Sequence, residues 1–317
     1  MQQSNLARYA WLSIAAAVVT IALKAGAWLV TGSVGLLSDA AESIVNLVAA
    51  VVALIALKMA ARPADKAFHY GRTKAEYFSA ASEGVMIFVA AVAIITFAVQ
   101  RLLHPQPLAS LGIGLLVSLV AAGVNGGVAV VLLKAGREHN SITLRADGKH
   151  LMTDVVTSAG VLVGVGLVWL TGWWWLDPVV ALLVGANILW TGWRLLDESA
   201  RGLMDESMSK EAHARIKEIM DAHASPEVRY HALRTRISGA RSYLEFHMLV
   251  PGRWTVQRGH DELEDLVDEL CDAFPELQVL GHLEPIEDPR SYDDIELGPR
   301  RPRSPVTPDD VPEHWVE

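Results

Sequence analysis

RADGKHLMTDVVTSAGVLVGVGLVWLTG, residues 145–172, joins a charged head to an apolar body long enough to enter a membrane. His150 and Asp154 stand four positions apart in its head, a spacing that stacks two side chains on one face of a helix. A second stretch, GSVGLLSDAAESIVN at 32–46, carries Glu42 and Asn46 at the same spacing and runs on into apolar sequence. Ionisable groups at membrane depth cost about 2.5–3.5 kcal/mol each on insertion scales, so groups retained there are read as functional. Two pairs, each aimed in one direction, predict a four-ligand transition-metal site between two helices.

The rest of the chain gives those helices company. Of its 317 residues, 51% are hydrophobic and only 20% charged, with a mean hydropathy of +0.28. Apolar runs of spanning length occur at about 10–30, 36–57, 79–100, 110–133, 151–171 and 176–196. They predict an all-α membrane domain of six spans over 1–204. Lys58, Arg62, Lys66, Arg72 and Lys74, then Lys134, Arg137, Arg145 and Lys149, crowd two connectors, whereas the opposite connectors hold only Arg101. Positive charge favours the cytoplasmic side, so both termini are expected there. Trp173, Trp174 and Trp175 suit the aromatic belt at the far interface. The first run follows only Arg8 and continues to spanning length, so no cleavable signal peptide is expected.

Charge separates the two halves. The first 204 residues carry 14 basic and 11 acidic side chains, the remainder 13 and 25, so the net charge of −9 belongs to the second part. That acidity argues against nucleic-acid binding. The single cysteine, Cys271, allows no internal disulfide and fits a reducing compartment.

From 205 to 290 the pattern reads helix, strand, strand, helix, strand, an α+β order suited to two helices on one face of a three-stranded sheet. Ser209 is the expected cap of the first helix and Gly239 the turn between the first two strands. Alternation places Leu244, Phe246, Met248 and Val250 on one face, with His247 on the other. His282 and Glu284 share a face opposite Leu283, while His231 lies on the first strand and His260 on the second helix. Histidines on three strands with a nearby carboxylate suit zinc and its neighbours. The stretch 291–317, rich in Pro, Arg and Asp, is expected to be a disordered tail.

In this order, GSVGLLSDAAESIVN, PADKAFHYGRTKAE (63–76), RADGKHLMTD and HALRTRISG (231–239) resemble the cation diffusion facilitator family, which includes zinc transporters. The resemblance implies a homodimer with six spans, a cytoplasmic ferredoxin-like domain and export of a divalent metal, zinc foremost, against protons. A bacterial inner-membrane location is expected with it. It also implies a transport site at Glu42, Asn46, His150 and Asp154, and regulatory metal at His231, His247, His260, His282 and Glu284. A loop metal site retains only Asp65 here, with Phe68 and Arg72 at its other positions. Lys74 and Asp205 match a charge pair that interlocks the membrane and soluble parts.

The first transport pair departs from the family's pattern of Asp or His followed by Asp. With Glu42 and Asn46 the site holds one carboxylate fewer, and an amide oxygen suits harder ions such as Mn²⁺ or Fe²⁺. Asn46 thus either ligates metal or bridges helices by hydrogen bonds. Fe²⁺, Mn²⁺ or Cd²⁺ is the alternative cargo, and a membrane-anchored metal sensor the alternative class. A hydrolase would need an open metal position and a placed general base. No such constellation is visible, so no enzyme activity and no prosthetic group are expected.

Overall fold

The computed structural model describes residues 6–31, 34–104, 113–173 and 175–292. They form two compact units, Met1–Met204 and Asp205–Glu317. The first contains six long helices: α1 (Ala7–Thr31), α2 (Val34–Ala60), α3 (Ala75–Leu103), α4 (Ile113–Glu138), α5 (Ile142–Thr171) and α6 (Leu176–Leu203). Among the described residues, Ala7–Gly26, Ala75–Leu103, Leu119–Glu138 and Pro178–Leu203 are long and apolar enough to cross a membrane. The described apolar part of α2 is the shorter Asn46–Ala60. In α5, Arg145, Asp147, Lys149 and Asp154 interrupt the apolar run.

Small residues decide how these helices meet. Ala80, Ile87 and Ala91 of α3, Ile142 and Ala146 of α5, and Ile188 and Leu195 of α6 form one buried cluster. The α3–α6 approach is close enough that a Cβ on Gly202 would lie 2.1 Å from the Tyr77 ring, and one on Gly192 would lie 3.0 Å from the Phe88 amide nitrogen. Between α5 and α6, a Cβ on Gly160 would meet Val184 at 2.8 Å. A second cluster joins Ala10 of α1, Leu54 and Leu57 of α2, Ala129 and Leu132 of α4, and Leu144 and Leu151 of α5. Helix α5 belongs to both clusters, which fixes the face carrying His150 and Asp154 toward α2 and α4.

The second unit runs α7 (Lys210–His223), β1 (Arg229–Ser238), β2 (Arg241–Val250), α8 (Val256–Ala273) and β3 (Leu277–Pro285), then a 3₁₀ turn at Pro289–Tyr292. Ser209 caps α7 by accepting from the Ala212 amide, and Thr255 caps α8 by accepting from Arg258. The sheet order is β1-β2-β3, with β1 and β2 antiparallel and β2 and β3 parallel. Gly239, at φ +61°, turns the chain between β1 and β2. Leu244, Phe246, Met248 and Val250 face a core completed by Ile216 and Ile219 of α7 and Leu263, Leu266 and Leu270 of α8. Gly281 admits α8 to the sheet, since a Cβ there would lie 2.3 Å from Leu263.

Strand β1 is irregular. A bulge interrupts its pairing between His231 and Arg234, and Ala232 sits at φ +52°. The extra residue reverses the alternation. Tyr230 packs on the core before the bulge, and Leu233 and Ile237 pack on it afterwards. The described chain continues past 290 through Ser291, which is buried, and Tyr292, whose hydroxyl donates to the Ile286 carbonyl. The remainder of the expected tail, 293–317, lies outside the described residues.

Candidate metal centres

Each unit brings together side chains of metal-ligating types, by different means. In the helical unit the hub is Asn46. Its Nδ2 donates to Asp154 Oδ2 at 2.6 Å, and its Oδ1 lies 2.8 Å from His150 Nε2. Asn46 and His150 are buried at 5% and 7% exposure, as a site shielded from water requires. The i,i+4 spacing on α5 thus meets α2 as the sequence predicts. The fourth expected ligand, Glu42, has a side chain outside the described residues.

Two neighbours escape a search for paired ligands. Asn125 of α4 donates through Nδ2 to Asp154 Oδ2 at 3.1 Å, so this carboxylate oxygen accepts from two amides. Lys24 of α1 lies within electrostatic reach of the same carboxylate. Each is a lone polar residue in an apolar run, and that was the available signal.

Other acids of this unit are more deeply buried than the proposed ligands. Asp147, one turn before His150, accepts from Ser13 of α1 at 3.0 Å. Glu76 of α3 accepts from Ser141. Glu83 is fully buried, and neither of its carboxyl oxygens has a hydrogen-bond partner among the described residues.

At the loop position, Asp65 is committed elsewhere. It accepts from Arg72 at 2.6 Å and from the amides of Ala67 and Phe68 at 2.9 and 3.0 Å. The Arg72 hydrogen bond, helped by the Ala67 amide, holds the Asp65 carboxyl below its ordinary range. This carboxylate closes a turn, and the Arg72 guanidinium already supplies the positive charge beside it. Lys74 donates to the Leu203 carbonyl at 3.2 Å, whereas Asp205 accepts from Arg236 at 3.2 Å, each within its own unit.

In the soluble unit the cluster is a row across the sheet. His231 pairs with His247 on β2, and His247 with His282 on β3. Ring centroids are 5.0 Å apart for the first pair and 4.9 Å for the second. Glu284 closes the row: its Oε2 lies 3.0 Å from His231 Nε2 and 3.2 Å from His247 Nδ1, and its Oε1 lies 3.5 Å from His282 Nδ1. One donor atom each from His231, His247 and Glu284 falls within a 4.8 Å span. Two imidazoles and a carboxylate at that spacing fit a tetrahedral first-row cation, with His282 beside them. Burial alone would raise the Glu284 carboxyl, but the hydrogen bond from His231 and the adjacent imidazoles outweigh it and hold the group below its ordinary value.

His260 does not join this row. It lies on α8, which covers the opposite face of the sheet, with a side chain 57% exposed and 3.7 Å from Glu264. Tyr292, just past the sheet, stacks near His231 at 6.2 Å and 30°.

Comparison with known proteins agrees with both halves. Residues 10–204 match the cation efflux transmembrane domain, and residues 208–286 match the cytoplasmic domain of cation efflux proteins. An uncharacterized transporter of Synechocystis is 51% identical over 290 residues, covering 91% of this chain and 94% of that one. The cation-efflux pump FieF of Shewanella oneidensis is 30% identical over 276 residues, covering 87% and 92%. A solved structure of CzrB matches 25% of this chain and 96% of its own at 35% identity, with a TM-score of 0.24.

Proposed function

Because the chain belongs to the cation efflux family of membrane transporters, also called cation diffusion facilitators, we propose that it exports a divalent transition-metal cation, zinc foremost, from the cytoplasm in exchange for protons. The observation that carries this reading is the meeting of Asn46, His150 and Asp154 across α2 and α5. The Asn46 amide already bridges the other two, its oxygen within hydrogen-bond reach of the imidazole and its nitrogen of the carboxylate. The cation takes the place of the protons that now join them. His150 must give up a proton to ligate and Asp154 must carry its charge. Protons entering from the far side compete for the same atoms, which couples inward proton flow to outward metal release. Glu42 is the fourth ligand in this scheme.

In the same reading all six helices cross the membrane, both termini are cytoplasmic and the protein works as a homodimer. Helix groups rock around a site at membrane depth to expose it to one side and then the other. Metal held by His231, His247 and Glu284, with His282 beside them, regulates the cycle from the soluble unit. Lys74 and Asp205 couple the two units.

The test is metal flux in sealed vesicles with an imposed pH gradient, comparing Zn²⁺, Cd²⁺, Fe²⁺, Mn²⁺, Co²⁺ and Ni²⁺. Uptake of Zn²⁺ that follows the gradient is expected. Uptake indifferent to the gradient would remove the antiport, and absence of flux for every metal would favour a membrane-anchored sensor. A preference for Fe²⁺ or Mn²⁺ over Zn²⁺ would assign a dominant role to the amide oxygen of Asn46.

A further inference from the structure

A cleft of about 420 Å³ opens between α4, α5 and α6, apart from the metal ligands. Its walls are two helical stripes at i, i+3, i+4 and i+7: Lys149, Met152, Thr153 and Val156 on α5, and Asn187, Trp190, Thr191 and Arg194 on α6. Lys149 and Arg194 share one end, because Glu198 on the next turn of α6 reaches back to Arg145 at 2.5 Å and to Lys149 at 3.6 Å. Away from that end α5 presents Met152 and Val156, with Asn187 on the α6 side, while Leu133 of α4 packs on Gly148 next to Lys149. The threonines between add little polarity, since Thr153 and Thr191 donate to carbonyls of their own helices.

The cationic end is not neutralised from within. Arg145, Lys149 and Arg194 carry three positive charges against the single negative charge of Glu198. Asp197, the nearest further acid on α6, pairs with Arg201 at 3.2 Å. Arg194 lies within electrostatic reach of Lys149 and has no ion pair or hydrogen bond among the described residues. Two like charges held at one end of a cleft are stabilised by an anion between them. A small hydrated anion at the basic end would leave the Met152 and Val156 wall uncovered. Trp190, 61% exposed, is the residue type that sits at a membrane interface.

We propose that this cleft binds an anionic phospholipid, its phosphate between Lys149 and Arg194 and an acyl chain along Met152 and Val156. Basic recesses between membrane helices on the cytoplasmic side hold acidic headgroups in this way. The proposal needs the helical unit to lie in a membrane, and does not depend on which metal is carried.

Trp190 provides the readout. Full-length protein is reconstituted in phosphatidylcholine vesicles containing a minor fraction of dibrominated phosphatidylglycerol or, separately, dibrominated phosphatidylcholine, and tryptophan quenching is measured. The anionic lipid is expected to quench several-fold more per molecule, and the excess should vanish in Trp190→Phe. Arg194→Gln should reduce the preference at least threefold, whereas Arg194→Lys should keep most of it, which separates lost charge from a damaged fold. Equal quenching by both lipids would overturn the proposal, as would an unchanged preference in Arg194→Gln. Soluble glycerophosphate abolishing the preference at millimolar concentration would assign the cleft to a free anion instead. Trp190 shielded from both lipids would mean that a second copy of the chain covers this face, and would likewise overturn it.

Discussion

The two candidate metal centres are assembled by opposite kinds of geometry. In the helical unit, candidate ligands recur at i,i+4 on α5 and meet a residue of α2, so one helix supplies two groups in fixed relation. In the soluble unit each strand supplies its own histidine, and sheet register alone puts His231, His247 and His282 in a row. The helical centre is held by neutral amides that bridge its carboxylate, while the sheet centre is open on one side, with the His282 side chain 65% exposed. A helix-borne pair resists small backbone shifts. A sheet-borne row depends on register, because a slip of one residue turns every side chain over.

The hardest test of that contrast is Asp154→Ala. It removes a carboxylate that accepts from both Asn46 and Asn125, leaving two buried amide donors without their acceptor. Proton-driven metal flux in vesicles should fall at least ~100-fold, while zinc binding measured calorimetrically on residues 205–292 is untouched, because that unit has its own core. Full flux in this variant would remove the membrane centre from the mechanism.

Next is Glu284→Ala. Glu284 touches all three histidines of the row. Zinc affinity of the 205–292 fragment should drop roughly 10–100-fold, with transport reduced but present. Unaltered affinity would show that the row does not bind metal. The metal-free fragment also carries an acid limit. The Glu284 carboxyl is held below its ordinary value, so its contribution to stability is present above the unfolded-state value near pH 4.5 and is lost as pH falls through the lower folded-state value. Thermal unfolding followed from pH 6 to pH 3 should show that loss in the wild type and less of it in Glu284→Gln.

Asn46→Asp should act more gently. It restores the carboxylate expected from the family pattern but sets it 2.6 Å from the place of Asp154 Oδ2, where two negative charges repel until a cation or proton joins them. Metal affinity should rise about tenfold, and flux should depend more steeply on pH. The same pH profile and the same metal order would make Asn46 a bridge between helices rather than a ligand.

How much of this was legible in the sequence follows from the same contrast. The pairing of His150 with Asp154 was readable because helix spacing is periodic and local. The inner face of β2 was readable for the same reason, with Leu244, Phe246, Met248 and Val250 all in the core. Asn125 and Lys24 were not, because a lone polar residue in an apolar run names no partner until helices pack. Glu83 and Asp147 were hidden in the same way. His260 looked equivalent to the other histidines in sequence, yet α8 carries it on the far side of the sheet. The β1 bulge was invisible because nothing in HALRTRISG requires a positive φ, and a glycine there would have been the usual signal.

The smallest expected effect tests that bulge. Ala232 holds φ +52°, a conformation that costs a residue with a Cβ about 1–2 kcal/mol. Without the bulge, a continuous alternation that turned Tyr230 inward would turn Arg234 and Arg236 inward as well. With it, Arg234 stands opposite Glu245, and Arg236 lies over the Tyr243 ring at 4.1 Å, on the same face as His231. Ala232→Gly removes the steric cost and returns part of the gain as greater freedom of the unfolded chain. The fragment should gain about 0.5 kcal/mol, or roughly 2–4 °C in Tm for a domain of this size. Zinc affinity should stay within about twofold, since glycine keeps the same backbone and register. A lowered Tm would mean that the Ala232 methyl is a packing contact, not a strained one. A large loss of zinc affinity with unchanged Tm would mean that the methyl, rather than the extra residue, sets the direction of His231.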